Sequence, residues 1–174
     1  MIEATDARDP QAPRVPIGVQ SHDHTARLAG IPTPRFFTDA RAFARSQALL
    51  TAYYGLDFLS HFWDVYNIEA EALGQPMAYP ADGIPDVDRT RPLIADPANL
   101  DRLAPPDPRS AGRMPWVLEV IRRLQDLTGR LDRVYFTAPF SLAVNIRGYE
   151  NLVGDIYQRP GFARNLLEFL SDAV

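Results

Sequence analysis

The segment Asp57–Gly74, DFLSHFWDVYNIEAEALG, constrains the fold more than any other part of the chain. Its first half is an apolar run, Phe58-Leu59 and Phe62-Trp63, interrupted by Ser60 and His61 and followed by a lone acid, Asp64. Its second half, Glu69-Ala70-Glu71-Ala72-Leu73, is made of helix formers and stops at Gly74. An apolar strand that ends on polar residues and turns straight into a helix is the repeating step of an α/β protein, which gathers functional side chains at such strand ends.

The same step recurs along the chain. Val15-Pro16-Ile17-Gly18-Val19 reads as a first strand, followed by the polar Gln20-Ser21-His22-Asp23-His24. Thr38-Asp39 caps a helix running to Tyr54, with Gly55 as its stop, and Leu56 to Trp63 forms the second strand. Ile68 to Leu73 makes a short helix. Residues 75 to 115 hold many of the 16 prolines and read as a long irregular excursion. Pro115 opens a helix with Val117, Val120-Ile121, Leu124 and Leu127 on one stripe, closed by Gly129, and Glu119 and Arg123 form a supporting i, i+4 pair. Val134 to Ala138 is the third strand, and helices follow over 149–157 and 160–172. Strands alternating with helices predict an α/β fold of parallel strands with helices outside. A closed (β/α)8 barrel needs eight strands and about 250 residues, so three strands in 174 residues match the N-terminal portion of a TIM barrel. The polar, Pro-containing residues 1–13 form a flexible arm, and residues 14–174 a single partial-barrel domain.

Composition narrows the chemistry. All 18 basic residues are Arg, none is Lys, and there is no Cys. That excludes a Schiff-base or P-loop lysine, a thiol nucleophile, a disulfide and cysteine-ligated zinc within these residues. A net charge of −4 with no basic cluster argues against nucleic acid. No apolar run approaches the roughly 20 residues of a membrane span, and the polar start is not a signal peptide, so the cytoplasm is the expected location.

Three segments together resemble the uroporphyrinogen decarboxylase superfamily. They are Phe62-Trp63-Asp64 leading to Glu69-Ala70-Glu71-Ala72-Leu73-Gly74, then Gly112-Arg113-Met114-Pro115 with the helix start Trp116–Ile121, and Thr137-Ala138-Pro139-Phe140-Ser141-Leu142-Ala143 followed by Gly148–Leu152. The resemblance covers the family's first half and implies a (β/α)8 barrel with its site at the C-terminal strand ends. The family includes tetrapyrrole decarboxylases and corrinoid-dependent methyltransferases acting on thiols such as coenzyme M. Asp64 is the nearest match to the aspartate that hydrogen-bonds pyrrole N–H groups in the decarboxylases. Their Arg-rich motif after strand one is missing: Gln20-Ser21-His22-Asp23-His24-Thr25 stands there, and no arginine precedes Arg27 within it. Without arginines to pair its carboxylates, uroporphyrinogen is disfavoured as substrate. The Glu-Ala-Glu-Ala-Leu-Gly and Gly-Arg-Met-Pro wording is closer to the methyltransferase branch. That branch implies zinc, bound by His-x-Cys and a distant Cys in the barrel's second half, and a corrinoid protein partner; no cofactor is demonstrable from this chain alone.

The candidate site follows from these readings. Asp64, His61 and Asn145 are the candidate catalytic residues, Asn145 because the family's tyrosine position falls there. The alternative for Asp64 is a helix N-cap or an acid paired with a loop arginine. His22, His24 and Arg147 are candidate substrate contacts, and Arg147 reads more simply as an exposed helix-start arginine. His22 and His24 also form a His-x-His, as in metal-dependent barrel hydrolases, which makes them a candidate metal pair or else residues of the cleft or of a surface loop. Glu69 and Glu71 read as solvated helix acids, and Trp63, Tyr135 and Phe140 as core and barrel wall. The function expected is the N-terminal part of a corrinoid-linked methyltransferase with a small-molecule substrate. Alternatives are a decarboxylase of a smaller pyrrolic or aromatic acid, or a non-catalytic half-barrel assembly module. Open strand edges must be covered, which predicts a homo-oligomer such as a homodimer, or a missing C-terminal half.

Overall fold

The computed structural model describes residues 15–59, 63–64, 66–129 and 134–173. The expected N-terminal arm and His61 lie outside these described residues. The helices form where capping chemistry places them. Helix α1 spans His22–Leu28, α2 Thr33–Phe36 and α3 Ala40–Tyr54. The Asp39 carboxylate accepts from the Arg41 and Ala42 N–H groups, both at 3.0 Å, and Gly55 closes α3 in the left-handed conformation. After α4 (Ile68–Ala72) the excursion folds back on itself, with strands β1 (Met77–Ala78) and β2 (Asp86–Val87) pairing antiparallel and Met77 opposite Val87. A 3-10 turn at Pro97–Arg102 leads to α5 (Met114–Thr128), which starts on Pro115 and ends at the left-handed Gly129. Helices α6 (Pro139–Arg147), α7 (Tyr149–Gln158) and α8 (Pro160–Ala173) complete the order.

Two apolar cores result. The first joins α1, α2, α3 and α5 through Phe36, Phe37, Phe43, Val120 and Leu124 and takes in Trp63 and Ile68. The second joins α6, α7 and α8 through Leu142, Ile146, Leu152, Leu166 and Leu170 and takes in Val87 and Ile94 of the excursion. Helix α4 belongs to both, with Ile68 in one core and Ala70 in the other. The excursion is therefore packed structure and not a loose loop.

Three expectations are corrected. The parallel strands at 15–19, 56–63 and 134–138 do not form a ladder among the described residues, where the only sheet is the β1–β2 pair. The segments nonetheless lie in the expected order: Asp57 N–H donates to Ile17 O at 2.9 Å, and the Trp63 indole N–H donates to Tyr135 O at 3.1 Å. Parallel strands are stabilised when both edges are paired and both faces covered. Here Val134 and Phe136 of the third segment remain exposed. The second correction is α6, which sequence periodicity does not show because Leu142, Ala143, Ile146 and Arg147 bury several of its sides. The third is α1: the polar residues expected to follow the first strand at its end are helical from His22.

Candidate functional site

The turn after Trp63 is built by Asp64. Its carboxylate accepts the Asn67 N–H at 3.1 Å, which reverses the chain into α4, and its side chain is only 1% exposed. Tyr66 takes a left-handed φ of 62° in this turn, and the Asn145 side-chain amide donates to its carbonyl. The other Asp64 oxygen receives the Arg113 guanidinium, whose Nε–H donates to Glu71. Arg113 is buried and stacks near the Tyr79 and Trp116 rings, 5.5 and 6.0 Å from their centroids. Tyr79 O–H completes the group by donating to Glu71 at 3.0 Å. Arg113 can reach both acids because Gly112 lets the chain pass over the end of α4. A Cβ on Gly112 would sit 2.8 Å from Ala72 N, and its φ is +48°.

Two electrostatic effects compete at Asp64. Burial pushes its carboxyl upward, and Arg113 and the Asn67 N–H pull against that rise without cancelling it. Burial also works against the Arg113 cation, but Asp64 and Glu71 outweigh it and raise its pKa. Tyr79 is pushed up to about 12 by burial, with Glu71 adding to the shift and Arg113 opposing it. Glu69, on the same helix, is buried and accepts Thr137 O–H at 2.7 Å. Glu69 is thus a bonded member of the interior and Glu71 a partly buried partner of Arg113 and Tyr79, and neither is a freely solvated helix acid.

Above this cluster lies a cleft of about 230 Å³ lined by Gln20, Trp63, Asn67, Glu69, Tyr135 and Thr137, with Asp64, Tyr66, Ile68 and Phe136. It sits where the ends of the three extended segments meet. No described lining residue carries a positive charge, and Asp64 and Glu69 already hold hydrogen-bond partners.

Of the residues expected to act, Asp64 lines this cleft and Asn145 stands behind it through Tyr66. His22 and His24 sit two apart on α1, so they do not share a helical face. The His22 ring lies 2.8 Å from the Gln20 amide, and the His24 ring 2.9 Å from Tyr54 O–H. No group of three or more His, Cys, Asp or Glu among the described residues is placed to hold a metal. Arg147 is not an exposed helix-start residue. It ends α6, is buried, and donates to Asp155 at 2.7 Å and to the Ile94 and Ala95 carbonyls at 2.8 Å. Phe140 is exposed, whereas Trp63 is core. Arg113 and Thr137 stand in the motif segments without a role assigned from sequence, and Tyr79 and Asn67 carry no local signal. The signal for Arg113 was present in Gly112-Arg113-Met114-Pro115, whose arginine had no assigned partner.

No helix among the described residues is long and apolar enough to cross a membrane. The chain is similar in fold to a methyltransferase from Methanosarcina mazei, with a TM-score of 0.76 and 18% identity, covering 91% of this chain and 48% of that one. This chain thus spans about half the length of that protein. No curated protein matches it. The uroporphyrinogen decarboxylase (URO-D) family matches residues 5–174, nearly the whole chain. Its motif segments meet at α4: Arg113 of the second bonds Asp64 and Glu71 of the first, and Thr137 of the third bonds Glu69 of the first. The chain belongs to the uroporphyrinogen decarboxylase family.

Proposed function

We propose that this chain is the N-terminal part of a URO-D-family enzyme that transfers a methyl group to a small thiol and works with a corrinoid-carrying protein. The observation that carries this reading is the cleft without a described cation. A polycarboxylated tetrapyrrole requires bidentate arginines to replace the water it loses on binding. The walls formed by Trp63, Tyr135 and Phe136 instead suit a compact, weakly charged substrate. The fold likeness to a methyltransferase supports the same branch.

The zinc implied by that branch does not fit the residues present. Cysteine is absent, and no described acid or histidine set converges. Its ligands would have to come from outside this chain. What the chain supplies is one wall of the cleft. In this reading Asp64 fixes the wall through Arg113 and Asn67, Asn145 braces it through the Tyr66 carbonyl, and His61 is the proposed proton-carrying group, because imidazole titrates near neutral pH. A competing assay on the full-length protein tests the proposal: methyl transfer from methylcobalamin to coenzyme M against carbon dioxide release from uroporphyrinogen. Methyl transfer without carbon dioxide release is the expected outcome. Decarboxylation of uroporphyrinogen refutes it.

A second reading has its own observation. Leu118, Val134 and Phe136 leave an exposed apolar edge beside α5, and such an edge favours cover by a second half-barrel or a second copy of the chain. A strictly monomeric chain of these residues in sedimentation would count against the self-assembling version.

A further inference from the structure

On the exposed side of the α3–α5 packing lies a second cleft, separate from the one above, lined by Arg41, Arg45, Arg123, Asp126 and Leu127 and enclosing about 200 Å³. Its charge is unbalanced. The charges of α5 satisfy one another: Arg122 reaches Glu119 at 2.9 Å and Asp126 at 2.6 Å, and Arg123 reaches Glu119 at 2.7 Å. Arg41 and Arg45 stand four apart on α3, so they share a face and repel. Neither has an acid within ion-pairing distance among the described residues, although acids outnumber bases in the whole chain by 22 to 18. Two uncompensated guanidinium groups facing a third across a cleft form an arrangement that a bound anion relieves.

We propose that this cleft binds a small organic phosphate, held by Arg41, Arg45 and Arg123. A guanidinium presents parallel N–H donors that match two oxygens of a phosphoryl group. The forks of Arg41 and Arg45, with Arg123 adding charge while its Nε stays paired with Glu119, suit a tetrahedral group with several oxygens better than a single carboxylate. Asp126 does not oppose the anion strongly, because Arg122 already neutralises it. Leu127 offers an apolar contact to the organic part. The site is independent of the methyl-transfer reading and shares no lining residue with the first cleft.

The test is calorimetric titration of the full-length protein with glycerol 3-phosphate and with inorganic pyrophosphate, at ionic strength held constant with sodium chloride. Saturable one-to-one binding is expected, weakened by about tenfold or more in the Arg41→Gln/Arg45→Gln double variant. Both positions are exposed, so the variant folds; Arg164→Gln, on an exposed face of α8, should leave the affinity unchanged. A parallel arm uses phosphatidylglycerol vesicles. No saturable binding, equal affinity in the double variant, equal loss in Arg164→Gln, or binding to vesicles without binding to the soluble probes would each overturn the proposal.

Discussion

Replacing Arg113 by Met removes the cation that joins the first two motif segments, and keeps an apolar stem against Tyr79 and Trp116. Asp64 then stays buried, its side chain 1% exposed, with only the Asn67 N–H to compensate it. Glu71, 18% exposed, keeps Tyr79 O–H and can reach water. Breaking a buried pair by removing one partner costs about 3–5 kcal/mol, because the remaining charge is left unpaired. For a chain of this size that is a fall in melting temperature of roughly 6–20 °C. The assay is thermal and urea unfolding followed by circular dichroism, on Arg113→Met, Asp64→Asn and the double variant. Neutralising Asp64 as well removes the orphaned charge, so the double variant should be more stable than the sum of the single losses predicts, by at least about 1 kcal/mol. An Arg113→Met change within about 0.5 kcal/mol of the parent, typical of a surface substitution, would refute the reasoning. So would strict additivity.

Gly112→Ala drives a Cβ to 2.8 Å from Ala72 N at a φ of +48° and should cost about 2–4 kcal/mol in urea unfolding; a neutral effect would mean that α4 and Gly112 do not approach as described. Burial holds the His22 imidazole below its usual pKa of 6.5, with Asp23 opposing. The unfolded chain then binds more protons in that window, so stability is lost as pH falls from 6.5 through the lowered folded value, and His22→Gln should flatten this part of the curve. An unchanged acid slope in the variant would contradict it. Tyr79, raised to about 12, is held protonated by the fold, so its contribution is present below its unfolded pKa near 10 and lost as pH rises through 12. Difference ultraviolet titration of the parent against Tyr79→Phe should show the missing phenol ionising near 12, and ionisation near 10 would exclude its hydrogen bond to Glu71.

What the sequence shows and what it hides divide along a physical line. Helix α3 is legible because its signals are local: the Asp39 carboxylate bonds residues two and three positions on, and Gly55 adopts the φ that ends a helix. Helix α5 is legible for the same reason, from Pro115 to Gly129. Helix α6 is hidden because a helix buried on several sides loses its polar stripe. The excursion is hidden because its order comes from distant partners, such as the Ile94 N–H that donates to Ile146 O at 2.8 Å. The site divides similarly. Asp64 stood out as a lone acid after an apolar run, and one of its alternatives, an acid paired with a loop arginine, is the contact found. Which arginine could not be read, since Arg113 lies 49 residues away and 17 other arginines compete for it. Arg147 misled for the same reason. Its burial against Asp155 and two carbonyls depends on the packing of α6 and α7, not on its neighbours in sequence.

The claim that Arg113 locks the second motif segment onto Asp64 and Glu71 of the first is tested most directly by guanidinium nuclear magnetic resonance. The Arg113 Nε–H signal, identified by its loss in Arg113→Lys, should be shifted downfield and exchange slowly with water, because it is buried and donates to Glu71. In Glu71→Gln and in Asp64→Asn it should move and exchange faster, while the buried Arg147 signal stays in place. An Arg113 signal that exchanges as fast as those of exposed arginines, or that ignores both substitutions, would contradict the account.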